Sequence, residues 1–200
     1  MAGKLKLQGD VLIKAKKMLK DVCEILESSN ISYILEAGTL LGIVRENRLL
    51  PWDNDIDITI TDKNKKKLLW ARWKFWLKGY RFYVRHYKRD AGPFKKGELR
   101  IVKIQTRRFI FVKDLGLLDI FIKRPIKHDY YWTIGVKKPV LKSVPKKFYD
   151  ELNQIEFEGK KYSVPKDYKD YLKYFYGDWE TPKKDYNCRT DDKCMIKVIE

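Results

Sequence analysis

Apolar positions recur at helical spacing early in the chain. Leu12, Ala15, Leu19, Val22, Cys23 and Leu26 fall three and four apart, which predicts an amphipathic helix over Asp10 to Ser29. Gly9-Asp10 supplies its N-terminal cap and Ser28-Ser29-Asn30 its stop. Ile31 to Leu35 reads as a short strand leading to Gly38. Asp55 to Ile60 alternates polar and apolar residues, the period of a half-buried strand. From Asp62 the pattern turns helical again. Leu69, Trp73, Trp76, Leu77 and Tyr80 share one face, with Lys63, Lys65, Lys66 and Lys67 crowding the first turns. The favoured reading packs that face on the sheet and leaves the lysines in solvent. The alternative lays a basic, Trp-rich helix on an anionic membrane.

Further strands are expected at Gly79 to Val84, Leu99 to Ile104, Arg108 to Val112, Leu117 to Lys123, Tyr130 to Gly135 and Val140 to Val144. A turn falls at Asp90 to Pro93, and Asp114 also reads as a turn residue. Pro145 to Leu152 suits a helical turn, and Ile155 to Val164 a hairpin bent at Gly159. A last helix starts at Pro165 and stops at Gly177, with Tyr168, Leu172, Phe175 and Tyr176 on its packed side. The polar stretch after about residue 183 is read as a loose tail rather than a docked strand over Met195 to Ile199.

Composition changes little in this picture. Two hundred residues suffice for one domain with a full core, and 44% hydrophobic content reads as globular. No charge-free apolar run is long enough to span a membrane, and the N-terminus lacks the pattern of a secretory signal. Three cysteines make no disulfide framework, so a reducing, cytoplasmic setting is expected. Two isolated histidines and no Cys-x-x-Cys argue against structural zinc. A net charge of +17 points to a polyanionic neighbour: nucleic acid, an anionic membrane surface or phosphorylated substrates.

The candidate chemistry concentrates in Glu36 to Ile60, EAGTLLGIVRENRLLPWDNDIDITI. On a strand, Asp55 and Asp57 share a face while Ile56, Ile58 and Ile60 enter the core. Two carboxylates one strand repeat apart repel each other unless a cation sits between them, and their hard oxygens suit Mg²⁺ with phosphate. Gly38 permits a tight backbone path, so the amides near Thr39 and Leu40 can receive a phosphate. Asp119, alone in the apolar run LLDIFIK, is costly to bury unless paired or metal-bound, which makes it the best third carboxylate.

GTLLG, Arg45, PWD and the Asp-x-Asp in one register resemble the LicD/fukutin-related family, as do the later Asp119-Ile120-Phe121 and VPKDYKDYLKYFYGDW. The resemblance runs from about Leu35 to Trp179. It implies an α+β, nucleotidyltransferase-like mixed sheet with flanking helices in a single domain. It also implies transfer of phosphocholine or a phospho-alditol from a CDP-linked donor to a sugar hydroxyl of a glycan or glycoconjugate, with Mg²⁺ or Mn²⁺. On that reading Asp55, Asp57 and Asp119 hold metal, and Asp119 or Asp53 takes the acceptor's proton. Gly38 and Thr39 contact donor phosphate, and Arg45 offers a fork to phosphate or to the acidic cluster. Trp52 stacks on a base or fills the core, the core being favoured.

Two other readings stand beside it. One is transfer of a nucleoside monophosphate to a small molecule, as in other members of the fold. The other, ranked low, is a basic nucleic-acid-binding module, which has no need of the three aspartates.

Overall fold

The computed structural model of the chain describes residues 6–107, 113–183 and 186–199. The first amphipathic pattern forms α1 (Gly9–Glu27), which buries Ala15, Met18, Leu19, Val22, Cys23 and Leu26. Asn30 then takes a left-handed φ of 51° to turn the chain. A two-residue β1 (Ile34–Leu35) leads into α2 (Ala37–Glu46), and the acidic segment becomes β2 (Ile56–Thr61). A single 3-10 turn, Asp62–Asn64, is followed by two short helices, α3 (Lys65–Trp70) and α4 (Arg72–Leu77).

The predicted continuous helix is therefore broken at Ala71, and its faces are inverted. Leu68, Ala71 and Phe75 are the buried residues, while Leu69, Trp73, Trp76 and Leu77 are exposed. The two stripes run in parallel along the same segment, and the one with the smaller side chains fits against the sheet. Tyr80 is buried, but as the first residue of a strand.

The remaining strands are β3 (Tyr80–His86), β4 (Leu99–Arg107), β5 (Lys113–Ile126), β6 (Asp129–Ile134) and β7 (Val140–Pro145). The strand expected over 108–112 lies outside the described residues. Asp114, read as a turn residue, falls within β5. After α5 (Lys147–Asp150) come the hairpin strands β8 (Leu152–Phe157) and β9 (Lys160–Pro165). Their two-residue bend, Glu158 and Gly159, has φ of 51° and 70°, the doubly positive turn that matches strand twist. Pro165 closes β9 opposite Leu152 rather than opening a helix, and α6 (Tyr168–Tyr176) starts three residues later.

Strand β5 organises the sheet. It pairs in parallel with β2, antiparallel with β4, and through its last residues antiparallel with β6. Beyond β6 lie β7 and β10 (Met195–Val198), while β3 pairs with β4 and β1 with β2. The C-terminal stretch expected to be loose is thus docked as a strand on β7. Lys142 on β7 and Asp192 form a buried ion pair that fastens it, and Cys194 is buried beside it.

Candidate active site

The parallel register of β2 and β5 sets Asp57 directly beside Asp119, with Ile56, Ile58 and Ile60 of β2 and Leu118, Ile120 and Ile122 of β5 buried on the opposite face. Asp55 precedes β2 by one residue and shares the face of Asp57. Carboxylate oxygens of Asp55, Asp57 and Asp119 all lie within 4.8 Å of one another. On the other side of β5, Lys103 of β4 is the register partner of Asp119. Its ammonium donates to both carboxylate oxygens, at 2.7 and 2.5 Å.

One lysine does not balance three carboxylates in a half-buried setting. Burial and the charges of Asp119 and Asp53 push Asp55 up to about 7, with Lys103 opposing. Asp57 is raised well above the carboxylate range by burial and then by Asp55 and Asp119. Asp119 is raised by burial against the pull of Lys103, Arg100 and Arg85. A cluster of hard oxygen donors whose ionised form is penalised fits a divalent cation, which would remove that penalty. Asp55, Asp57 and Asp119 are the residues that would hold it.

The neighbouring aspartate is positioned by glycine. A Cβ on Gly38 would stand 2.1 Å from Oδ2 of Asp53, so only glycine lets that carboxylate approach α2. The Asn54 amide donates to the other oxygen of Asp53 at 3.0 Å, and burial raises its pKa. Thr39, in the first turn of α2, is buried, and its hydroxyl accepts the Asp57 amide at 2.9 Å. Between these groups and Glu36, Ala37 holds a left-handed φ of 45°, a conformation that costs a non-glycine residue about 1 kcal/mol.

The other two expected residues sit differently. Arg45 gives its guanidinium to Glu46, at 3.0 and 2.7 Å, and to the Trp179 carbonyl at 3.2 Å. Those contacts make it a brace between the end of α2 and the C-terminal segment rather than a fork aimed at the cluster. Trp52 is 53% exposed, which corrects the expectation that it fills the core. It lies at a turn after Pro51, next to Asp53.

Three cations were missed by the sequence reading. Lys103, Arg100 and Arg85 line a cleft of about 400 Å³ that opens beside Asp119. Arg100 is largely buried. Its guanidinium donates to the Gly135 carbonyl at 2.6 Å and to the Thr133 hydroxyl at 3.2 Å. The available signal was the alternation of LRIVKI itself, which puts Lys103 among core residues. Lys123 carried the same signal. It is fully buried on the face of Asp119, bonded to Glu36 and, at 2.6 Å, to the Tyr149 hydroxyl.

A mixed α+β sheet with an Asp-x-Asp strand, a third aspartate on its parallel neighbour and a helix start above them is a nucleotidyltransferase-like arrangement. The chain belongs to the LicD/FKTN/FKRP family, whose nucleotidyltransferase domain matches residues 30–167. It is 32% identical over 110 residues to an uncharacterized protein of Rickettsia prowazekii (strain Madrid E), covering 54% of this chain and 40% of that one. An uncharacterized protein of Rickettsia typhi (strain ATCC VR-144 / Wilmington) is 38% identical over 72 residues, covering 36% of this chain and 23% of that one. The chain therefore spans less than half the length of these relatives. Among solved structures, ANT(2")-Ia in complex with adenylyl-2"-tobramycin superposes with a TM-score of 0.45 at 13% identity, over 86% of this chain and 80% of that one.

Proposed function

We propose that the chain is a divalent-metal-dependent transferase that moves a phosphocholine or phospho-alditol group from a CDP-linked donor to a sugar hydroxyl of a glycan or glycoconjugate. The observation that carries this reading is the convergence of Asp55, Asp57 and Asp119 on one side of β2 and β5. Bound there, Mg²⁺ or Mn²⁺ would neutralise phosphate charge. Lys103 and Arg100 bind the donor's pyrophosphate from the cleft side, together with the free amides at Gly38 and Thr39 in the first turn of α2. Trp52 offers an exposed ring for the cytosine. The acceptor oxygen attacks the distal phosphorus; a new P–O bond forms and the pyrophosphate bridge breaks. CMP leaves with the bridging oxygen. The hydroxyl proton passes to Asp53, because Asp119 would be committed to the cation and to Lys103.

Incubation with CDP-choline, CDP-ribitol and CDP-glycerol and a panel of sugar acceptors, with and without Mg²⁺, tests the reading. Metal-dependent release of CMP with a phosphodiester on the sugar is expected. Pyrophosphate release from a nucleoside triphosphate with a nucleotidylated acceptor would instead favour the alternative that the family domain's description as a nucleotidyltransferase suggests. Release of neither product would remove both.

A further inference from the structure

Trp73 and Trp76, expected to pack on the sheet, lie in solvent together with Trp70. Trp70 is 83% exposed, Trp73 56%, Trp76 55% and Leu77 65%, while Leu68, Ala71 and Phe75 anchor the same helices to the sheet. Among the described residues these are the only tryptophans above half exposure apart from Trp52. Exposed cations alternate with the rings. Lys63, Lys66 and Arg72 have no acidic partner among the described residues, and Lys74 and Arg107 lie over the rings of Trp73 and Trp76, at 6.0 and 5.3 Å from their centroids. Behind the rings, Trp73, Trp76 and Phe82 line a cleft of about 670 Å³ together with Arg72, Arg81 and Arg107.

We propose that this face of α3 and α4 docks on an anionic lipid bilayer. Indole rings partition to the headgroup level, where one edge is apolar and the other wet, and interspersed cations add attraction to anionic headgroups. No described helix is long and apolar enough to cross a membrane, so contact through this face is interfacial. Two other occupants fit less well. Leu69 and Leu77 are exposed along the same stretch and offer no π-face to a base, whereas a lipid interface takes aliphatic and aromatic surface alike. A second copy meeting this face by two-fold symmetry would bring two cationic surfaces together, with no carboxylate among residues 65–77 to offset them. The proposal does not depend on the transfer reaction.

Co-sedimentation of the full chain with large unilamellar vesicles decides it. Vesicles of phosphatidylcholine containing about a third phosphatidylglycerol should carry the protein down, and vesicles of phosphatidylcholine alone should not. Combined Trp70→Ala, Trp73→Ala and Trp76→Ala should weaken partition at least about tenfold, because each ring contributes a large apolar area. Lys63→Glu, Lys66→Glu and Arg72→Glu together should do the same without touching the rings, which keeps the proposal testable should the first variant fold poorly. The proposal is overturned by equal partition to neutral and anionic vesicles, or by unchanged partition of a folded Trp variant. It is equally overturned if wild type does not sediment with the anionic vesicles; loss of single-stranded oligonucleotide binding, or of a dimer, in the Trp variant would then identify the occupant instead.

Discussion

Two sets of charged groups, one fully buried and one half-buried, share one face of β2 and β5, a few residues apart, and their wiring differs. In the first, Glu36 faces Lys123, and every oxygen is engaged: the hydroxyls of Thr59, Tyr149 and Tyr171 also donate to Glu36. Lys123 lies 3.5 Å from the Trp132 ring centroid as well. In the second, Asp55, Asp57 and Asp119 face each other with Lys103 as the nearest cation. Thr59 is two residues beyond Asp57 and Lys123 four beyond Asp119, so both sets project from the same strands. A compensated buried pair with its hydrogen bonds filled holds α2, β2, β5, α5 and α6 in place. An uncompensated cluster costs stability that a bound cation would offset. The contrast between a closed network and an open one separates scaffold from site.

Breaking the closed network should give the largest loss of stability. Lys123→Met leaves Glu36 buried without its cation and should cost about 3–5 kcal/mol at pH 7, lowering the melting temperature by roughly 10 °C. Adding Glu36→Gln should recover much of that, and a fully additive double variant would contradict the coupling. Opening the acidic set should do the reverse. Asp57→Asn should cut turnover at least about a thousandfold. Without metal, it should raise stability at pH 7 by about 1 kcal/mol, since an amide needs neither the burial of a charge nor the uptake of a proton on folding that the raised Asp57 carboxyl requires. Equal loss of stability in the two variants, by denaturant melts, would erase the distinction.

Ligand and pH effects sharpen the same contrast at smaller scale. Mg²⁺ at about 100 times its dissociation constant should stabilise the parent by about 2.7 kcal/mol and Asp57→Asn by much less. The folded-state pKa of Asp55, near 7, lies above that of an ordinary carboxylate. Its stabilising contribution is therefore complete below about pH 4 and is lost as pH rises through about 7. Metal-free melts should show this decline, and saturating metal should flatten it. Least in size, Ala37→Gly should raise stability by less than about 1 kcal/mol by relaxing the left-handed residue between the two networks; a clear loss would show that the methyl group packs.

Much of this was legible in the chain because it depends on local pattern. Alternation placed Asp55 and Asp57 on one face, and a lone acid in LLDIFIK marked Asp119 as needing a partner. Lys123, four residues on in the same apolar run, carried the same anomaly but went unread, and its partner Glu36 lies 87 positions away. What escaped the reading depends on pairings distant in sequence. Lys142 meets Asp192 across fifty positions, and that contact turns an apparently loose tail into a docked strand. Arg45 is claimed by the carbonyl of Trp179, 134 positions away. The α3–α4 segment misled for another reason. Leu68, Ala71 and Phe75 have helical spacing too, and bulk favoured the wrong stripe.

The central claim is that Asp55, Asp57 and Asp119 together hold a divalent cation. Calorimetric titration of Mn²⁺ into the full chain, in parallel with Asp57→Asn, tests it most directly. Saturable binding that weakens at least about tenfold in a folded Asp57→Asn chain is the predicted result. No saturable binding, or the same affinity in both chains, would contradict it.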